Sequence, residues 1–272
     1  MRGLKVGQVF VITSGKGGVG KTTVTANLGA VFSRLGKKTC LIDADIGLKN
    51  LDVVLGLENR ILYTIIDVIT EKVGSMEALV RHKTSRNLYL LPASQIATKE
   101  MMKPEDMEKV VAQLRPNFDI ILIDSPAGIE SGFRNAVVAA DAAIIVTNPE
   151  YTAVSDADRV TGLLEKSKIS EENIFLIVNR FRPNVAEKRG MLSIDDVTKT
   201  LAIPLVGIVP DSEAVVIGSN RGLPIAFESD NELNKIFTNV ARRMLGHKVP
   251  LQEDYKLSKP TFWRLFKSLF KS

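Results

Sequence analysis

Seven short apolar runs recur along the 272-residue chain, at 8–13, 39–43, 88–91, 119–124, 142–147, 174–179 and 205–209. Most are continuous rather than alternating, and rich in Val and Ile. That is how strands buried on both faces read. Helical patterns separate them, at 21–35, 104–114, 132–140, 152–168, 194–201 and 232–245. Strand then helix, repeated, predicts right-handed crossovers and an α/β fold: a doubly wound, mostly parallel sheet with helices on both faces. The runs end on polar residues, among them Asp43, Asp124, Asn148 and Asn179. Open sheets of this kind bind ligands at that carboxyl edge.

Composition excludes several classes. With 45% hydrophobic and 25% charged residues, the chain has ordinary globular usage. One cysteine, Cys40, cannot form an internal disulfide or a cysteine-based metal site. In its apolar run it reads as a small buried hydrophobe of a reducing compartment. No stretch of 18 apolar residues suggests a membrane span, and the first fourteen residues read as a strand rather than a leader. The charge is unevenly placed. Of 36 basic residues, five (Lys256, Lys259, Arg264, Lys267 and Lys271) fall in 256–272, where there is no acid. Removing those five from 36 leaves 31 basic groups against 31 acidic ones, so the rest of the chain is neutral. A nucleic-acid binder would more often spread basic groups over its folded face. A basic tail suits a membrane or an acidic partner.

The junction after the first run carries the chemistry. Gly15-Lys-Gly-Gly-Val-Gly-Lys-Thr22 fits the pattern G-x-x-x-x-G-K-[ST], with a strand before it and a helix after it. Its glycines let backbone N–H groups curl around phosphate oxygens, and the helix N-terminus adds its dipole. Lys21 is expected to reach the β- and γ-phosphates of ATP, and Thr22 to bind Mg²⁺. Asp124, closing its run as a Walker-B acid does, is expected to hold the Mg²⁺, through water, since that ion keeps much of its hydration. Asp43 ends its own run and points the same way.

The loop also holds a second lysine, Lys16. Lys16-Gly-Gly-Val-Gly-Lys-Thr-Thr23 resembles the deviant Walker A motif of the MinD/ParA family of dimerising ATPases. The segment from Asp43 to Asp52 resembles that family's switch I, the segment from Asp124 to Glu130 its switch II, and the segment from Asn148 to Asp156 matches in kind. The resemblance runs from about residue 8 to the C-terminus. It implies a slow, Mg²⁺-dependent ATP hydrolase, stimulated by a partner, in which two ATP-bound monomers face each other and Lys16 crosses to the other subunit's phosphates. It makes Lys16 and Asp45 catalytic, Asp45 as the acid that orients the attacking water. It assigns nucleotide contacts to Gly15, Lys16, Gly17, Gly18, Val19, Gly20, Lys21, Thr22 and Thr23, and adenine contacts to Asn179, Pro210 and Asp211. Asp156 and Asp158 fall where the family binds regulators. The partners implied are an inhibitor of division-protein assembly and an activating peptide or polar organiser, in a protein that helps place the bacterial division site.

The domain reading is an ATPase domain at 1–246, a linker at 247–259 and a terminal helix at 260–272. At 100° per residue, Phe262, Trp263, Leu265, Phe266, Leu269 and Phe270 fall within an arc of about 160°. Arg264, Lys267, Ser268 and Lys271 lie opposite. A basic face opposite an aromatic one is the signature of a helix lying in an anionic membrane surface. Burying the six apolar side chains yields about 9–18 kcal/mol at most, and ordering eleven residues costs about 11–22 kcal/mol. One tail is then expected to bind weakly and two on a dimer with avidity, giving a cytoplasmic protein reversibly at the inner face of the cell membrane. A DNA-partition ATPase of the ParA kind and a flagellar-placement relative are the alternatives. The neutral body and aromatic tail disfavour nucleic acid, and a lone cysteine disfavours the iron–sulfur relatives.

Overall fold

The computed structural model describes residues 7–47, 50–98, 101–228 and 231–251. The tail residues Phe262, Trp263, Leu265, Phe266, Leu269 and Phe270, and all but the first five linker residues, lie outside this set.

Among the described residues eight strands form one sheet: β1 (Gln8–Thr13), β2 (Thr39–Asp43), β3 (Val80–Arg81), β4 (Leu88–Leu91), β5 (Ile120–Asp124), β6 (Ala142–Thr147), β7 (Ile174–Phe181) and β8 (Leu205–Pro210). Their order is β3-β4-β2-β5-β1-β6-β7-β8, and each described pairing is parallel except β3 with β4. The doubly wound α/β reading therefore holds. The helices are α1 (Lys21–Arg34), α2 (Leu51–Val54), α3 (Ile65–Ile69), α4 (Pro104–Leu114), α5 (Ser131–Val137), α6 (Tyr151–Leu164), α7 (Pro183–Glu187), α8 (Ile194–Leu201), α9 (Glu213–Asn220) and α10 (Glu232–Met244).

Continuous apolar strands make sense because successive side chains go to opposite faces, and both faces are covered. Val9, Val11, Cys40, Ile42, Ile121 and Ile123 pack into one core with residues of α4, α5, α6 and α8. Phe10, Ile12, Leu41, Leu122 and Ile144 pack into the other with α1 and α10. In α10 the buried Leu233, Ile236, Phe237, Val240 and Met244 follow the i, i+3, i+4, i+7 spacing of one helical face. Cys40 is free and fully buried, and burial pushes its thiol pKa up.

Some expected bounds need correction. The run at 119–124 becomes a strand only from Ile120; Asp119 still bonds Gln8 and Lys38 through its backbone, and its carboxylate accepts the Lys38 N–H at 2.7 Å. β7 continues two residues past Asn179, through an irregularity at Arg180, whose φ is 55°. β8 runs on to Pro210. The helix expected at 152–168 ends at Leu164, and that at 132–140 ends at Val137. β3, two residues long, is too short to show a period, as are α2, α3 and α7. α9 was missed because its sequence EAVVIGSN lacks a clear polar face.

Candidate functional site

The glycine-rich loop joins β1, at the centre of the sheet, to α1. Gly20 caps α1 with φ 94°, a conformation that favours glycine. A Cβ there would collide with the Asn179 side-chain amide, and one on Gly15 would run into the backbone of Asp156. At Gly17 and Gly18 a Cβ would meet nothing within 4 Å. The loop is thus pressed against β7 and α6 on its inner side and open along its outer one.

Loop and strand ends are stitched together. The Ser14 hydroxyl donates to the Lys16 carbonyl at 3.0 Å. The Ser125 N–H donates to the Ile12 carbonyl at 3.1 Å, the Gly128 N–H to Ser14 at 3.0 Å and the Ala44 N–H to Asp124 at 3.0 Å. Backbone bonds therefore tie the segment 124–130 to β1 and to Ser14, just before the loop, and tie the end of β2 to the end of β5. Asp43 and Asp124 are register partners on adjacent strands.

Lys21, Asp43 and Asp124 are buried, with exposures of 8%, 1% and 1%. Asp124 is hydrogen-bonded by Thr22 and by Thr25, whose Oγ1 lies 3.0 Å from Oδ1. Burial pushes its pKa up, against the pull of Lys21 and the two hydroxyls. Burial, and then the charge of Asp124, pushes Asp43 up to about 8. Asp43 accepts the Asp45 N–H on Oδ1 at 3.0 Å and the Leu51 N–H on Oδ2 at 3.3 Å. It thereby shapes the loop that carries Asp45. Asp45, half-buried, adds a third negative charge felt by both other acids.

Two buried carboxylates on neighbouring strands, raised by their own desolvation, fit a site that receives a divalent cation. Thr13 Oγ1 and Asn148 Oδ1, both buried, have no hydrogen-bond partner among the described residues and lie at the same edge of the sheet. The residues present thus fit a nucleotide with Mg²⁺, which the loop amides, Lys21, Thr22 and Asp124 would hold.

Lys16 stands apart from this cluster. Its ammonium lies 3.2 Å from Thr152 Oγ1 and 3.7 Å from Glu150 Oε2, at the start of α6, and its side chain is 44% exposed. Such an exposed pair contributes about 0–1 kcal/mol and releases readily. Asp156 forms a 3.5 Å pair with Arg159, and Asp158 is exposed on the same helix.

Asn179 lies within β7, two residues before its end. Its Nδ2 donates to the Val19 carbonyl at 2.7 Å, which leaves Oδ1 as the atom able to accept from a ligand. Pro210 pairs with Phe181 across β7 and β8, and the Asp211 N–H donates to the Phe181 carbonyl at 3.1 Å. The Asp211 carboxylate lies 3.7 Å from Arg182. The pairing of β7 with β8 thus brings Pro210 and Asp211 to the strand that carries Asn179, while Arg182 and Thr25 were not among the residues read from the sequence. Thr25 was the easier to find, lying one turn past Thr22 on the face that meets the Asp124 strand.

A strand–loop–helix phosphate cradle, a buried acid opposite it and a second loop lysine whose side chain turns away to α6 define a P-loop nucleotide-binding protein of the deviant kind. Residues 10–225 match the CobQ/CobB/MinD/ParA nucleotide binding domain. The septum site-determining protein MinD of Thermotoga maritima is 58% identical over 92% of each chain. That of Bacillus subtilis is 49% identical over 91% of this chain and 92% of its own. The chain belongs to the MinD family of septum site-determining proteins. Among solved structures, the MinC:MinD cell division protein complex of Aquifex aeolicus matches with TM-score 0.83 and 46% identity, over 90% of this chain and 98% of that one. MinD of Pyrococcus horikoshii complexed with Mg-ADP matches with TM-score 0.78 and 28% identity, over 87% of this chain and 95% of that one. A ParA-family ATPase of Chlorobium tepidum, at 22% identity and TM-score 0.73, over 86% of this chain and 98% of that one, shares the fold.

Proposed function

We propose that the chain is an ATP-driven molecular switch, which dimerises with ATP, associates with the membrane and helps place the division septum by recruiting a division inhibitor there. The observation that carries it is the separation of two lysines in one loop. Lys21 is buried beside Asp124, whereas Lys16 is half-exposed and parked on α6. Chemistry within one subunit needs a single loop lysine. A second one held by a weak surface contact is poised to act on another copy.

Mg²⁺ supplies charge neutralisation between the phosphates when bound. The chain's own groups do the rest. Loop amides and Lys21 hold the phosphates, while Thr22 and Asp124, with Asp43 beside them, hold the cation. Asp45 positions water at the end of the loop shaped by Asp43. Lys16 of a facing subunit stabilises charge on the transferring group, as an arginine finger does in trans. Asn179 Oδ1, with Pro210 and Asp211, borders the base.

The recruited partner is a MinC-like inhibitor, a reading supported by the Aquifex complex. A MinE-like activator or another polar organiser would stimulate turnover, and Asp156 and Asp158 lie on the helix where such a regulator would dock. The domain assignment is 1–246 for the ATPase, 247–259 for the linker and 260–272 for the membrane helix. Among the described residues no helix is long and apolar enough to cross a membrane. From the basic and aromatic faces of their sequence, Phe262, Trp263, Leu265, Phe266, Leu269 and Phe270 would lie in the inner leaflet surface beside anionic lipid. Sedimentation with anionic vesicles under ATP, ADP and no nucleotide, run beside a DNA-shift assay, tests the reading. ATP-selective pelleting is expected. Nucleotide-independent pelleting, or ATP-dependent DNA binding, would overturn it.

A further inference from the structure

An apolar groove lies between α5 and the end of α6, away from the Lys16 contact at that helix's start. Phe133, Val137, Ile129 and Leu163 line it, and it encloses about 330 Å³. Ile129 is 46% exposed and Leu163 37%, so the opening itself is apolar. The charged side chains lining the groove are Arg134, Lys166 and Lys168, with no acid among them. Lys168 reaches Glu108 at 3.5 Å, but it is 84% exposed and the pair is weak. On a chain whose body is electrically neutral, a local run of one sign around an apolar floor is a recognition feature.

From this arrangement we infer that the α5–α6 groove docks an amphipathic helix with acidic flanks, supplied by a partner protein. The volume suits two or three apolar side chains presented at i, i+3 or i+4, and i+7. The rim selects the sign of the residues beside them. This chain's own terminal segment is the wrong occupant, since residues 256–272 carry five basic groups and no acid.

The groove is also joined to the nucleotide site. Ile129 belongs to the segment 124–130 that begins at Asp124, and its neighbour Gly128 donates at 3.0 Å to the carbonyl of Ser14, the residue that precedes the phosphate loop. A movement of that segment around bound nucleotide shifts one wall of the groove. Occupancy by the partner helix is thereby coupled to nucleotide state.

The test uses the full chain and two designed 18-residue helical peptides with the same leucine face. One carries Glu on its flanks and the other Lys. Anisotropy titrations at low salt should show the acidic peptide binding at least tenfold tighter than its basic twin. The double variant Arg134→Glu with Lys166→Glu, both exposed positions outside the nucleotide site, should reverse that preference and leave basal ATPase activity unchanged. Mg-ATP should change the acidic peptide's affinity at least threefold. Amide shift mapping should place its effects on α5 and α6. Equal binding of the twins would overturn the proposal, as would acidic-peptide binding indifferent to the double variant, which would place it on the basic tail. Shifts at the groove caused by a free peptide of residues 256–272 would assign the groove to the chain's own segment and also overturn it. Equal affinity with and without Mg-ATP would remove the coupling.

Discussion

Thr25 Oγ1 lies 3.0 Å from Asp124 Oδ1 and 3.0 Å from the Lys21 carbonyl, so one hydroxyl joins the first turn of α1 to the acid at the end of β5. Thr25 is fully buried. Replacing it with valine keeps the shape and leaves one Asp124 oxygen short of a partner, at a cost of about 1–3 kcal/mol. Thr25→Val should therefore lower the unfolding midpoint and weaken Mg-ATP binding, while Thr25→Ser restores both. Calorimetric titration and thermal melts read the two effects; a valine variant that matches the parent in both would remove Thr25 from the site.

Lys16→Ala should retain most ATP binding while losing ATP-dependent dimerisation and stimulated hydrolysis, by up to about 10³–10⁵ in rate, the range spanned by arginine fingers. Lys21→Ala should lose phosphate binding itself, because the buried ammonium faces Asp124. Nucleotide affinity and sedimentation velocity separate the two. Equal loss of ATP affinity in both variants would place Lys16 in its own subunit's site.

Asp45→Ala should accumulate an ATP-bound dimer, since water orientation goes while Thr22, Asp43 and Asp124 remain. Size-exclusion chromatography with Mg-ATP measures it. A variant that binds ATP yet stays strictly monomeric would count against the role.

Deletion of 260–272 should leave a folded ATPase that no longer pellets with anionic vesicles. Trp263→Glu or Phe266→Glu should do the same at full length. Binding by the intact chain should weaken with salt. Persistent ATP-dependent pelleting of the truncated chain would sink the membrane helix, and its unfolding would make the segment part of the core.

His82 gives a pH dependence. It is 4% exposed, stacks on Phe227 at 4.9 Å and accepts the Thr84 N–H on Nδ1 at 3.2 Å. Burial lowers its pKa to about 4, with Lys83 and Arg60 adding to the shift and a backbone bond at Leu55 opposing it. Between pH 6.5 and about 4 the unfolded chain takes up a proton that the folded one refuses. Stability from this residue is thus fully present above pH 6.5 and declines as pH falls through that window, by about 1.4 kcal/mol per unit at most. Denaturant melts should show that slope flattened in His82→Gln; an unchanged slope would assign it to other groups.

Much of the architecture was legible because it follows from local rules. Continuous Val/Ile runs mark strands covered on both faces, and the 104–114 and 194–201 helices appear at their expected bounds because Pro104 and Ser193 start them. The loop was legible because backbone curvature around phosphate demands glycine at fixed spacing. Short elements were not, since β3, α2 and α7 owe their shape to what they pack against rather than to any period of their own.

What the sequence by itself determined is the order of strands and helices, the phosphate loop, the two strand-end acids and the unequal division of charge between body and tail, all properties of contiguous residues. The tertiary structure alone decided that Thr25 reaches Asp124, that Asn179 holds the Val19 carbonyl, that Arg182 meets Asp211 and that Lys16 rests on Thr152 and Glu150. Those pairs are 99, 160, 29 and up to 136 residues apart. Only the crossing of the chain through a parallel sheet brings them together, and no periodicity or motif records a distance of that kind.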